Sequence, residues 1–102
     1  MGGMIAAFSI APAATDPDGG VADAVAEAVR IVRESGLPNE TNAMFTNIEG
    51  EWDEVMGVIK RCVDALAARS PRVSLVIKAD IRPGHTGQLT AKVERVQRAL
   101  GD

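Results

Sequence analysis

The stretch from Thr46 to Met56, TNIEGEWDEVM, joins an expected strand to an expected helix and contains the only tryptophan of the chain. The residues around Ile48 are β-like, whereas an apolar series with helical spacing begins at Trp52. We expect Gly50 to let the strand turn tightly into the helix, and Trp52 to anchor that helix in the core or in an interface. The junction also carries four carboxylates, which a helix start or a binding site could use.

The carboxylates of the junction have two interpretations. Asp53 and Glu54 fall in the first turn of the expected helix, where free amide N–H groups and the helix dipole favour negative charge by roughly 0.3–1 kcal/mol each. Glu49 lies within the strand, where its carboxylate could accept a hydrogen bond from an amino group of a ligand. We therefore assign Asp53 and Glu54 to the helix end and keep Glu49 as a candidate ligand-binding group.

Alternating and helical patterns continue on both sides of this junction. A first strand over 4–11 alternates two nearly apolar faces, and an amphipathic helix follows from Val21 until Gly36. Residues 40–51 predict two antiparallel strands with a turn somewhere in Met44–Asn47. The Trp52 helix ends near Ser70, the strand RVSLVIKADIR follows over 72–82, and a last helix carries Leu89, Val93, Val96 and Leu100.

The order β-α-β-β-α-β plus a terminal helix predicts an α+β, ferredoxin-like split βαβ fold with a four-stranded antiparallel sheet. Right-handed crossovers place both main helices on one face of the sheet. At 102 residues, the chain forms one domain over 1–102. The second face of the sheet is also apolar, so we expect the terminal helix or another subunit to cover it, and we predict self-association.

Composition excludes several classes of function. Eleven basic and fourteen acidic residues give a net charge of −3 without a basic run, which argues against nucleic acid as a partner. Cys62 is the only cysteine, so we expect neither disulfides nor a thiolate metal site, and a reducing cytoplasm fits best. The apolar start lacks a basic n-region and is too short to span a membrane; we interpret residues 1–3 as a loose leader.

The remaining chemical groups are isolated. His85 lies in a glycine-flanked loop without a second histidine or cysteine, so we expect a solvated side chain rather than a metal ligand. Cys62 has no nearby base and is expected to be a small buried apolar residue. Lys78 and Arg82 flank the last strand and could meet an anion. The residues alone therefore predict an oligomeric α+β domain that binds something small or binds itself.

A resemblance takes the prediction further. The motif IEGEWDEVM, followed by a helix and then RVSLVIKADIR, resembles the thiamine-binding protein family. The similarity extends from FSIAP, through ESGLPNETNAMFTNIEGEWDEVMGVIK, to AKVERVQ, and so covers nearly the whole chain. It implies a ferredoxin-like subunit that assembles into homodimers or homotetramers. It further implies binding of thiamine or its hydroxymethylpyrimidine moiety, without catalysis and without a cofactor.

The resemblance also implies a pocket against the sheet. Position by position, its polar candidates are Ser9, Asn42, Thr46 and Glu49, and the side chains that could pack on the ligand ring are Met44 and Phe45. Many relatives have glycine where this chain has Phe45, so the phenyl ring either stacks on the ligand or fills the site. The alternative function is a structural or regulatory assembly domain without a small-molecule ligand.

Overall fold

The computed structural model describes residues 3–12 and 21–101, and within them the predicted order of elements is confirmed. The strands are β1 (Met4–Pro12), β2 (Asn39–Thr41), β3 (Thr46–Gly50) and β4 (Val73–Ile81). The helices are α1 (Val21–Glu34), α2 (Trp52–Ala67) and the C-terminal α3 (Gln88–Ala99). The protein therefore has the α+β, ferredoxin-like architecture with a terminal helix.

The four strands form one antiparallel sheet in the order β2-β3-β1-β4. β1 lies in the middle, and its Ala6 pairs with Ile48 of β3 on one side and Ala79 of β4 on the other. Because neighbouring side chains of a strand point to opposite faces, burial alternates along β1, from buried Met4 to half-buried Ile5. We call the face of Ile5 the open face, because α1 and α2 cover the other one.

The core lies between the sheet and these two helices. Its buried apolar residues are Met4, Ala6, Phe8, Ile10, Ala24, Ala28, Val32, Ile48, Val55, Val58, Ile59, Cys62 and Leu66. Cys62 belongs to this cluster as expected: its Sγ donates a hydrogen bond to the carbonyl oxygen of Ala28 at 3.5 Å. Burial raises the pKa of the Cys62 thiol to about 11, so the thiol stays protonated near neutral pH.

The start of α2 matches the assignment of Asp53 and Glu54 to the helix terminus. Both lie in the first turn, and Glu54 Oε1 accepts a hydrogen bond of 3.0 Å from the backbone N–H of Glu51. Trp52, however, does not anchor the core, because 55% of its surface is exposed. Its position at the first residue of the helix keeps the indole outside the apolar stripe, which begins at Val55.

Two expectations about glycines are wrong. Gly50 does not have a positive φ, so the passage from β3 into α2 requires no special backbone freedom. Gly3, expected in a loose leader, is buried and has a φ of +91°. Its backbone carbonyl accepts a hydrogen bond from the N–H of Arg82, which ties the start of β1 to the residue after β4. Of these two glycines, Gly3 is the one that the fold requires.

Gly3→Ala and Gly50→Ala form a matched pair of substitutions. A Cβ at residue 3 would lie 2.7 Å from the carbonyl oxygen of Arg82, a clash with backbone at a left-handed φ, whereas a Cβ at residue 50 meets only side chains at 3.3 Å or more. We expect Gly3→Ala to lower the free energy of unfolding by about 1–3 kcal/mol and Gly50→Ala to change it by less than about 0.5 kcal/mol. Urea denaturation of both variants measures the difference; equal losses would contradict it.

The open face is covered in part by α3. None of the α3 residues is buried, and the apolar positions Val93, Val96 and Leu100 are 52%, 60% and 74% exposed. On β4, which is an edge strand, Val76 is 55% exposed and points to the same open face, because its partner in β1 is Ser9. As predicted, the terminal helix therefore covers the open face of the sheet along the first turn of α3, but its cover of this face is incomplete beyond that turn.

Candidate ligand cavity

A cavity of about 190 Å³ lies between the end of β1, the β2–β3 hairpin and α1. Its lining residues are Phe8, Ser9, Ile10, Val25, Ala28, Val29, Thr41, Asn42, Ala43, Met44, Phe45 and Thr46. Space for it arises because the pairing of β1 with β3 ends at Phe8 and Thr46, whereas β1 continues along β4 as far as Pro12. The hairpin loop and α1 border the sides that β3 leaves open.

The hairpin loop is built around the side chain of Asn42. Its side-chain Oδ1 accepts hydrogen bonds from the backbone N–H groups of Met44 and Phe45, both at 2.9 Å. The backbone N–H of Asn42 donates to the carbonyl oxygen of Phe45, also at 2.9 Å. The turn therefore lies at 42–45, not within Met44–Asn47 as the sequence suggested. Because the loop uses the carbonyl end of Asn42, the amide NH₂ is the end that could serve a ligand.

Two hydroxyl groups provide the polar wall of the cavity. Thr41 and Thr46 face each other across the hairpin, with their Oγ1 atoms 3.3 Å apart. A hydroxyl can donate and accept, so this pair can adjust to either kind of group on a ligand. Most of the remaining surface is apolar, from Phe8 and Ile10 on the sheet to Val25 and Val29 on α1.

The predicted site residues at the loop differ in exposure. Phe45 is half-buried and lines the cavity, and Met44 is 74% exposed. Ser9 also lines the cavity, but strand alternation places its side chain on the open face with Ile5 and Ala7. The backbone of Ser9 is therefore the part that adjoins the cavity.

Glu49 is separated from the other five predicted residues, because it lies on the open face beneath α3. Its carboxylate is buried, with 4% of the residue exposed, and accepts hydrogen bonds from the backbone N–H groups of Gln88 at 2.9 Å and Leu89 at 3.1 Å. These are free N–H groups in the first turn of α3. The residue before them, Gly87, has no side chain to cap the helix, so a carboxylate distant in sequence takes that role.

A second cavity, of about 240 Å³, occupies the open face between the sheet and α3. Lys78 lines it, whereas Arg82 borders a space of only about 10 Å³ near the end of the sheet. Between them, Asp80 pairs with Lys92 of α3, and this hydrogen-bonded ammonium lowers the pKa of the Asp80 carboxyl. Lys78 and Arg82 thus do not share one cavity. Binding of an anion at either residue remains a prediction.

Within residues 3–12 and 21–101, no group of three or more His, Cys, Asp or Glu side chains is positioned to hold a metal ion. Over the same residues, no helix has the length and apolar character needed to cross a membrane. His85, in the loop before α3, is half-buried.

Fold and cavity together define a class of protein: a ferredoxin-like subunit with a small, mostly apolar cavity between its first helix and its hairpin. The chain belongs to the thiamine-binding protein family, whose model matches residues 6–97. It is 55% identical over 98 residues to the UPF0045 protein Mb1933 of Mycobacterium bovis, an alignment that covers 95% of this chain and 94% of that protein.

Solved structures share the fold. The hypothetical protein MJ1052 of Methanocaldococcus jannascii is similar with a TM-score of 0.81 and 26% identity, over 92% of this chain and 95% of that one. A domain of unknown function, DUF77, from Bacillus cereus is similar with a TM-score of 0.78 and 30% identity, over 90% and 88% of the two chains. These similarities agree with the architecture described above.

Proposed function

We propose that the protein is a non-catalytic binding protein for thiamine or its hydroxymethylpyrimidine moiety, and that the ligand occupies the cavity between α1 and the hairpin. The observation that carries the proposal is the cavity itself. Five of the six residues that the family resemblance implied as ligand-binding line it, namely Ser9, Asn42, Met44, Phe45 and Thr46. Membership of the thiamine-binding family supports the same class of ligand.

The chemistry of the wall suits an aminopyrimidine ring. The ring presents nitrogen acceptors and an exocyclic amine; the NH₂ of Asn42 can donate to the acceptors, and the hydroxyls of Thr41 and Thr46 can accept from the amine. The ring of Phe45 can pack on the face of the pyrimidine. At about 190 Å³, the cavity is smaller than the roughly 300–1,000 Å³ typical of drug-sized ligands, so it suits one ring.

In this proposal Glu49 is a structural group and not a ligand contact. Both of its carboxylate oxygens are engaged by α3 on the opposite face of the sheet. The sequence suggested that Glu49 accepts a hydrogen bond from an amino group of the ligand. In this proposal the hydroxyl groups of Thr41 and Thr46 take that role, and Thr41 was not among the predicted residues.

The first test is calorimetry with a variant of the polar wall. Thr46→Val keeps the shape of the side chain but removes one hydroxyl, so a ligand amine loses its partner and the dissociation constant should rise about tenfold, or about 1.4 kcal/mol. Thr90→Val, on the exposed side of α3, is the matched control and should leave the affinity unchanged. If wild-type protein binds neither thiamine nor hydroxymethylpyrimidine at millimolar concentration, the proposal fails.

One observation favours a binding protein over an enzyme, and a second favours it over an assembly domain without a ligand. The one thiol, Cys62, is buried with a raised pKa, which makes it a poor nucleophile. In a ligand-free assembly domain the side chains of Asn42, Thr41 and Thr46 would serve only the hairpin, whereas here they also line a cavity beside it. The free thiol also fits a protein of the reducing cytoplasm.

Self-association is the second part of the proposal. Val93 and Val96 on α3, Leu100 just after it and Val76 on β4 are large apolar residues that are exposed in the single chain, and an exposed apolar surface often marks an interface. We expect a homodimer or homotetramer by light scattering at micromolar concentration, and dissociation in the double variant Val76→Lys, Val96→Lys. Met44→Lys, which changes an exposed apolar residue elsewhere, is the control. A mass near 10.7 kDa for the wild type would contradict this prediction.

A further inference from the structure

We infer that the cavity between α1 and the hairpin admits the uncharged alcohol, hydroxymethylpyrimidine, and rejects its phosphate ester. This inference rests on the proposed function and goes further, because it names the chemical form of the ligand. The observation behind it is that, among the residues that the structure describes, those that line the cavity, from Phe8 to Thr46, are uncharged. The polar groups that they offer are hydroxyls, one side-chain amide and the backbone.

No Lys, Arg or His of the described residues lines the cavity. All eleven Lys and Arg residues and the single His fall between Arg30 and Arg98, within the described part of the chain, and none of them lines the cavity. On α1, Arg30 and Arg33 follow the cavity residue Val29, and both side chains are exposed.

Binding of a phosphate ester in such surroundings has a large free-energy cost. A phosphomonoester carries a charge of about −1.5 to −2 at pH 7, and an anion removed from water without a cationic partner is strongly disfavoured. The ester oxygen is joined to the pyrimidine through a single methylene, so a ring inside the cavity keeps the phosphate close to the same wall.

The inference also limits the reactions that can precede or follow binding. A protein with this cavity takes up the alcohol before a phosphoryl-transfer reaction acts on it, or after a phosphatase has released it. The ligand leaves the cavity unchanged, because the binding step forms and breaks no covalent bond.

The test compares the alcohol with its phosphomonoester by calorimetry on the wild-type protein. We expect the ester to bind at least a hundredfold more weakly. Equal affinities, or tighter binding of the ester, would overturn the inference and leave the proposed function intact. Binding of neither compound would overturn both.

A charge variant separates charge from size as the cause. Met44→Arg places a guanidinium beside the cavity, and Ala67→Arg, at the exposed end of α2, adds the same charge elsewhere. In Met44→Arg, we expect the dissociation constant of the ester divided by that of the alcohol to fall at least tenfold. In Ala67→Arg, we expect this ratio to stay at the wild-type value. An unchanged ratio in Met44→Arg would overturn the argument from charge.

Discussion

Replacing Val25 by phenylalanine is expected to weaken binding of hydroxymethylpyrimidine at least a hundredfold. Val25 lies on α1, is half-buried and lines the cavity, so a larger ring at this position occupies space that the ligand needs. Because the added atoms enter a cavity rather than a packed core, the free energy of unfolding should change by no more than about 1 kcal/mol. Calorimetry gives the affinity, and urea denaturation gives the stability.

Val93→Phe is the matched control for the cavity-filling variant. Val93 is a valine of α3 that is 52% exposed and does not line the cavity, so the same change in volume there should leave the affinity at the wild-type value. If Val25→Phe bound the pyrimidine as tightly as the wild type, the ligand would have to lie elsewhere. A loss in both variants would point to a general disturbance of the fold.

Glu49→Ala is expected to give the second large effect, a loss of about 2 kcal/mol in the free energy of unfolding. The carboxylate is buried and accepts the backbone N–H groups of Gln88 and Leu89, and hydrogen bonds to a charged group contribute more than neutral ones. Alanine leaves both amides without this partner, so the first turn of α3 should fray. Urea denaturation measures the loss, and hydrogen exchange at the α3 amides locates it.

A comparison with Glu54→Ala isolates the effect of burial. Glu54 also stands at a helix start, but it is exposed, so its removal should cost less than about 1 kcal/mol. Because Glu49 lies on the other face of the sheet from the cavity, Glu49→Ala should change ligand affinity by less than about threefold. A tenfold loss of affinity with intact stability would return Glu49 to the role of ligand carboxylate that the sequence suggested.

The order of elements was predictable because local patterns carried it. Alternation along β1 placed Phe8 and Ile10 on one face, helical spacing from Val55 to Leu66 defined α2, and Gly36 marked the end of the first helix. The split βαβ order then limited the topology to one common arrangement. Each of these signals lies within a few residues of the element that it defines.

The errors concern residues whose environment depends on distant parts of the chain. Trp52 occupies a position with helical spacing, but nothing local indicates that this first residue of α2 is exposed while burial begins at Val55. Gly3 requires its positive φ because of Arg82, about eighty residues later, and no nearby residue signals that contact. The periodicity of apolar residues along the sequence does not reveal tertiary contacts of this kind.

The candidate site was predictable in part for the same reason. The hairpin residues Asn42, Met44, Phe45 and Thr46 are close in sequence, so one family-like stretch located them together. Thr41 could have been found from its position opposite Thr46 once the turn had been placed at 42–45. The role of Glu49 at α3 could have been suspected only from Gly87, which leaves that helix without a cap of its own.

The most direct test of the account is an amide chemical-shift titration of the ¹⁵N-labelled protein with hydroxymethylpyrimidine. We predict that the largest shifts fall on residues 8–10, 25–29 and 41–46, which surround the cavity, and that Lys78, Gln88 and Leu89 on the open face are little affected. No shifts at millimolar ligand, or shifts concentrated on the open face around Lys78 and Gln88, would contradict ligand binding in the cavity between α1 and the hairpin.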